Sequence, residues 1–139
     1  MKILICNVGS TSLKYQLFDM GAGEKVICAG GAERVGAVKS LFYHKNHLTG
    51  DAIHQEAVFP THREAISAML EQLMCGCIAS LEDISCVGFK VVHAKGVTGV
   101  QYLTEDVLQA MCCGGEAIGG SEKGRIPKCI RKYRRFAAE

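Results

Sequence analysis

The run Asn7-Val8-Gly9-Ser10-Thr11-Ser12-Leu13-Lys14 gathers residue types that can hold an anion and a metal ion together. Gly9 allows a tight turn. Ser10, Thr11 and Ser12 are small and carry hydroxyls, and successive backbone N–H groups in such a turn can form an anion-binding concavity. Lys14 stands two positions beyond Ser12, which on a strand is the same face, and it adds a positive charge. The amide oxygen of Asn7 can meet Mg2+ directly or through water, because that ion keeps several of its waters. The same composition also suits an ordinary Gly-Ser hairpin. What sets this turn apart is its place between the first two strands of the chain.

The elements that position it follow from periodicity. Residues 2–8 (KILICNV) are apolar and β-branched and read as a buried strand. Leu13 to Met20 alternates and predicts a second strand antiparallel to the first. Lys25–Arg34 is a third strand, weakened by Gly30-Gly31. Leu41–His44 and Ala52–Phe59 form a hairpin around Asn46 and Gly50. Pro60-Thr61 opens a helix, with Thr61 and Glu64 spaced as a capping box and Ala65, Ile66, Met69, Leu70 and Leu73 on one face. Gly76 suits its end. Ser85–His93 reads as another buried strand, and Thr104 caps a short helix from Glu105 to about Met111. After a glycine-rich loop, Pro127 permits a last helix to about Ala138. This is an α/β pattern: a mixed sheet with antiparallel N-terminal strands and flanking helices. Neither a G-x-G-x-x-G dinucleotide fingerprint nor a P-loop signature occurs.

The 139 residues suit one domain, and 48% apolar residues can fill a core that is mostly aliphatic, since Trp is absent. The net charge of +2 hides a gradient, with −2 over residues 1–115 and +4 over 116–139. The eight cysteines come without a secretion signal, which points to a reducing cytoplasm and free thiols. Paired C-x-x-C zinc spacing is missing, leaving Cys75-x-Cys77 with Cys112-Cys113 as the alternative ligand set. No apolar run approaches membrane-spanning length, so no membrane partner is expected.

The opening ILICNVGSTSLKYQLFDM resembles the start of acetate kinases, which typically read I-x-x-x-N-x-G-S-[ST]-S-x-K-[FY]-x-[LV]-[FY]. The likeness continues through Ala32-Glu33-Arg34-Val35-Gly36, His54–Ala57, Ile84–Gly96 (ISCVGFKVVHAKG) and Tyr102–Met111. It therefore covers roughly residues 1–111, the N-terminal portion of that family. The resemblance implies one lobe of an actin-like, ribonuclease-H-like fold. It also implies reversible transfer of the ATP γ-phosphoryl to a small carboxylate such as acetate. By position, Asn7 would bind Mg2+, Ser10, Ser12 and Lys14 would face the phosphates of ATP, and Lys90 and His93 would meet the carboxylate. The intact enzyme would be a homodimer.

The sequence departs from that pattern in two places. The family's carboxylate-binding arginine falls on Lys90, which keeps the charge but loses the bidentate fork, and Phe89, Ala94 and Lys95 replace a histidine and two glycines. This marks a divergent subgroup or a decayed site. Residues 112–126 replace the family's A-P-x-H-N-P-P loop, so 112–139 reads as a divergent basic tail, from a rewritten loop or a disturbed frame. Members of the family are near three times this length, and the catalytic arginine and acidic residue would lie beyond this chain. No confident catalytic residue lies within it, and turnover by the chain alone is not expected. Two other functions fit the residues: a non-catalytic phosphate- or nucleotide-binding module, and a nucleic-acid binder using Lys128, Arg131, Lys132, Arg134 and Arg135. The second is the lesser reading, because those charges spread around the helix rather than forming one stripe.

Overall fold

The computed structural model describes residues 1–90, 100–102 and 104–107. Met1–Lys90 form one compact unit. Its elements are β1 (Lys2–Val8), β2 (Ser12–Asp19), β3 (Lys25–Glu33), β4 (Ser40–Asn46), β5 (Ala52–Ala57), α1 (His62–Met74), a 3-10 turn (Leu81–Asp83) and β6 (Ile84–Lys90). The six strands make one sheet in the order β5-β4-β3-β2-β1-β6. β1 to β5 pair antiparallel in sequence order, and β6 returns parallel to β1 through α1. The expected mixed α/β sheet with an antiparallel start is the fold.

Alternation divides the sheet into two faces. Leu4 and Cys6 of β1, Leu13, Tyr15 and Leu17 of β2, Cys28 and Ala32 of β3, and Phe42 and His44 of β4 are buried on one face. α1 buries Ala65, Ile66, Met69 and Leu73. Its start is fixed by Thr61, whose Oγ1 accepts from Arg63 N at 3.2 Å while Glu64 Oε2 accepts from Thr61 N at 2.8 Å. This is the capping box expected from the spacing. After α1, Gly76 takes φ +149°, a value that favours glycine, as the chain leaves the helix.

Two expectations need correction. β3 runs unbroken through Gly30-Gly31. They are the places where large side chains from neighbouring strands cross it. A Cβ on Gly30 would fall 2.5 Å from Tyr15 Oη, and one on Gly31 would fall 2.7 Å from Tyr43 Oη. β6 is not the buried strand expected of Ser85–His93. Ser85, Cys86 and Lys90 are exposed, because among the described residues β6 has only β1 as a neighbour. The part of that strand beyond Lys90, the end of the helix after Thr104 and the tail helix lie outside the described residues. Residues 105–107 are helical, and Val107 N donates to Thr104 Oγ1 at 3.4 Å, as the cap reading requires.

Candidate functional site

The turn between β1 and β2 closes on itself. Gly9 N donates to Ser12 O at 2.9 Å, so that amide is spent within the turn. A side chain at Gly9 would meet Ser12 Oγ at 2.7 Å, which explains the glycine. The turn is held from outside as well. Val35 N donates to Thr11 O at 2.9 Å. His62 Nε2, at the start of α1, lies 3.3 Å from Ser12 O, a contact in which the ring nitrogen donates. Val35 reaches Thr11 because Arg34 and Gly36 take positive φ values of 56° and 90° and bend the chain sharply after β3.

Register places the charged residues in one row. Asn7 is the Cα partner of Lys14 on β2 and of Lys90 on β6, and Lys14 is the partner of Gly31 on β3, itself opposite Tyr43 on β4. Directly opposed residues share a face. The row Lys90-Asn7-Lys14-Gly31-Tyr43 therefore crosses the sheet on the face opposite the buried one. Asn7, Lys14 and Lys90 are exposed there. Gly31 carries no side chain, so the ring of Tyr43 lies over its Cα position, beside Lys14. An open groove of about 330 Å3 runs along this surface, lined by Ile5, Asn7, Lys14, Gln16, Ala29 and Tyr43 among others. Glu33 sits one row on, opposite Ser12. Burial and the Glu33 charge both hold the Tyr43 phenol above its ordinary pKa, so it stays protonated and can donate a hydrogen bond into the groove.

Two ammonium groups flanking one amide suit an anion with several oxygens. Lysine donates as a compact point charge and has no acceptor. The fit to a metal ion is narrower. Asn7 offers one neutral oxygen between two positive charges, and its row contains no carboxylate. Such a set holds Mg2+ only together with the phosphate oxygens that neutralise the lysines.

Of the residues singled out from the sequence, Asn7, Lys14 and Lys90 meet in one row, while Ser10 and Ser12 frame the turn at its end. His93 and the basic residues of the tail lie outside the described residues. Sequence reading did not single out Tyr43, Gln16 or His62. Strand alternation placed Gln16 with Lys14, but Tyr43 needed the β3–β4 register and His62 the path from β5 into α1. No helix among the described residues is long and apolar enough to cross a membrane. This does not bear on β-barrels.

The chain matches the Acetokinase family model over residues 2–112. It is 42% identical over 115 residues to an acetate kinase of Pseudothermotoga lettingae, covering 80% of this chain and 28% of that protein. It is likewise 42% identical over 111 residues to an acetate kinase of Finegoldia magna, covering 78% and 26%. The crystal structure of Porphyromonas gingivalis acetate kinase superposes with a TM-score of 0.70 at 31% identity, covering 78% of this chain and 28% of that one. The chain thus spans less than a third of the length of these relatives.

Proposed function

The chain belongs to the acetokinase family, and from that premise we propose that it supplies the phosphate-gripping wall of a small-carboxylate kinase. In the complete enzyme the reaction would be ATP plus acetate, or a close homologue, to ADP and acyl phosphate, and the reverse. The observation that supports this most is the row Lys90-Asn7-Lys14 beside the Gly9–Ser12 turn. Lys14 neutralises phosphoryl oxygens, and the hydroxyls of Ser10 and Ser12 lie at the turn to orient them. Asn7 supplies an oxygen to the hydration shell or coordination sphere of Mg2+ carried in with the nucleotide. Lys90 meets the acceptor carboxylate as a single charge rather than a fork, and His93 is assigned to the same carboxylate by its place in the sequence. Phosphoryl transfer needs alignment and charge neutralisation above all.

By sequence we assign residues 1–111 to the lobe and 112–139, which the family match does not extend into beyond residue 112, to a divergent basic tail. The setting is the cytoplasm, and the complete enzyme is a homodimer. The 139-residue chain alone binds without turning over, because one wall of a cleft neither excludes water nor fixes donor against acceptor, and lost orientation forfeits many powers of ten in rate.

The test is calorimetric titration of the chain with Mg-ATP and with acetyl phosphate, beside an assay for ATP-dependent acyl phosphate formation. Binding is expected, with Lys14→Ala weakening it about tenfold, the loss of one charge-assisted contact. Unchanged binding in Lys14→Ala removes the row as the site. Turnover near one per second, the low end for ordinary enzymes, overturns the statement that the chain does not catalyse alone.

A further inference from the structure

The buried face of the sheet holds a second cluster that the phosphate row does not use. Cys28 of β3, His44 of β4 and Cys77, just beyond α1, are all buried, and one ligand atom of each lies within 4.8 Å of the others. His44 Nε2 is 3.9 Å from Cys77 Sγ. Its other nitrogen, Nδ1, is 2.7 Å from Tyr15 Oη. The two rings stack at 6.0 Å with an angle of 24° between their planes. That contact passes over Gly30, where any side chain would collide with the phenol.

From this geometry we propose that Cys28, His44 and Cys77 bind one zinc ion that pins the end of α1 to the sheet. Four observations favour zinc over a chance grouping of apolar thiols. The donor set of two sulfurs and one imidazole nitrogen is the kind zinc takes. In a tetrahedral centre with Zn–S of about 2.3 Å and Zn–N of about 2.0 Å, sulfur and nitrogen stand about 3.6 Å apart. The 3.9 Å between His44 Nε2 and Cys77 Sγ needs only a few tenths of an ångström of closure, and the pairs with Cys28, within 4.8 Å, need at most about 1 Å. Ligating imidazoles nearly always give their second nitrogen to a fixed partner, and Tyr15 is that partner. Finally, the charges cancel. Binding Zn2+ releases one proton from each thiol and leaves two thiolates, a neutral imidazole and a dication, with no net charge in a buried place. Monovalent copper in the same set would leave one uncompensated negative charge there.

The segment that carries Cys77 is set for this. Cys77 N and Ile78 N both donate to Leu73 O at 3.0 Å, and Asn46 Nδ2 donates to Gly76 O at 3.4 Å, which ties the loop to β4. The sequence had suggested Cys75-x-Cys77 with Cys112-Cys113. Of that set, Cys75 is exposed, and Cys77 turns to a different pair of partners.

The experiment uses the full 139-residue chain, reduced and stripped of metal by a chelator. After incubation with Zn2+ and desalting, one equivalent of zinc per chain is expected by mass spectrometry. Co2+ is expected to give a thiolate-to-metal charge-transfer band that Zn2+ bleaches at one equivalent. Cys28→Ser and Cys77→Ser should each lose the band, Cys75→Ser and the Cys112→Ser/Cys113→Ser pair should keep it, and Tyr15→Phe should weaken zinc binding about tenfold or more. X-ray absorption on the unaltered zinc-loaded chain should show two sulfurs and one imidazole, a reading that does not depend on whether a variant folds. Zinc well below one equivalent, a shell of three or four sulfurs or of oxygens alone, or a Cys28–Cys77 disulfide in place of bound metal overturns the proposal.

Discussion

Lys14, Asn7 and Lys90 come from three strands and meet because the Cα register is β2 against β1 against β6 at one level. Exposed lysines are common, and each alone means little. Their alignment across an amide is what gives them a shared ligand. Gly31 completes the row by leaving space. A Cβ there would collide with the Leu13 carbonyl oxygen and stand 2.7 Å from Tyr43 Oη, so β2 or the Tyr43 ring must move. Gly31→Ala is therefore expected to destabilise the chain by about 1–3 kcal/mol, as overpacking does, and to weaken Mg-ATP binding further by displacing Lys14. Urea unfolding and calorimetry read the two effects separately. A variant as stable as the parent shows that the crossing at Gly31 is looser than drawn. The sequence made these two glycines look like a weakness in β3, since glycine lacks a side chain to pack. Their actual role depends on Tyr15 and Tyr43, which are distant in sequence and invisible to any local window.

At the scale of the elements, α1 was the most legible part. Thr61 and Glu64 stand at capping spacing, the apolar residues recur at helical period, and the structure returns both features. The cap also gives α1 a pH dependence with a definite sign. The Thr61 side chain, first among the hydrogen-bonding groups, holds the Glu64 carboxyl below its ordinary value of 4.5. Backbone N–H groups of Ala79 and Ser80 do the same for Asp83 at the 3-10 turn, relative to 3.8. Between the lowered and ordinary values the unfolded chain binds more protons than the folded one, so stability rises with pH. The contribution is complete above about pH 4.5 for Glu64 and is lost as pH falls through its folded value. Urea midpoints measured from about pH 6 to about pH 3 should fall on acidification, and Glu64→Gln, which keeps an acceptor in the box but cannot titrate, should flatten that fall. An identical slope in the variant shows that the cap does not contribute to acid sensitivity. β6 was less legible. Its apolar run could not tell a central strand from an edge strand, because that depends on which neighbours are present.

For the unit Met1–Lys90 as a whole, one helix covers one face of the sheet and the polar row occupies the other. The fold class and strand sequence could be read from alternation and turn residues alone. The pairing of β6 with β1, which brings Lys90 beside Asn7, could not, since a parallel return sets its register through the whole connection and not through a turn. This one-sided arrangement makes α1 decisive for stability. Leu73 and Met69 are fully buried on it, against a sheet core that includes Leu4, Leu17 and Phe42. Removing most of one such side chain costs about 2–5 kcal/mol, a large share of the roughly 5–15 kcal/mol that holds a typical domain. Leu73→Ala should therefore loosen the whole unit and not α1 alone. Hydrogen exchange tests this directly. In Leu73→Ala, amide protection in the central strands β2, β3 and β4 should fall by the same free energy as protection in α1, because the strands lose their cover when the helix leaves. Exchange that quickens in α1 while the strands keep the parent's protection would show that the sheet stands without the helix, and that the buried face has some other source of cohesion.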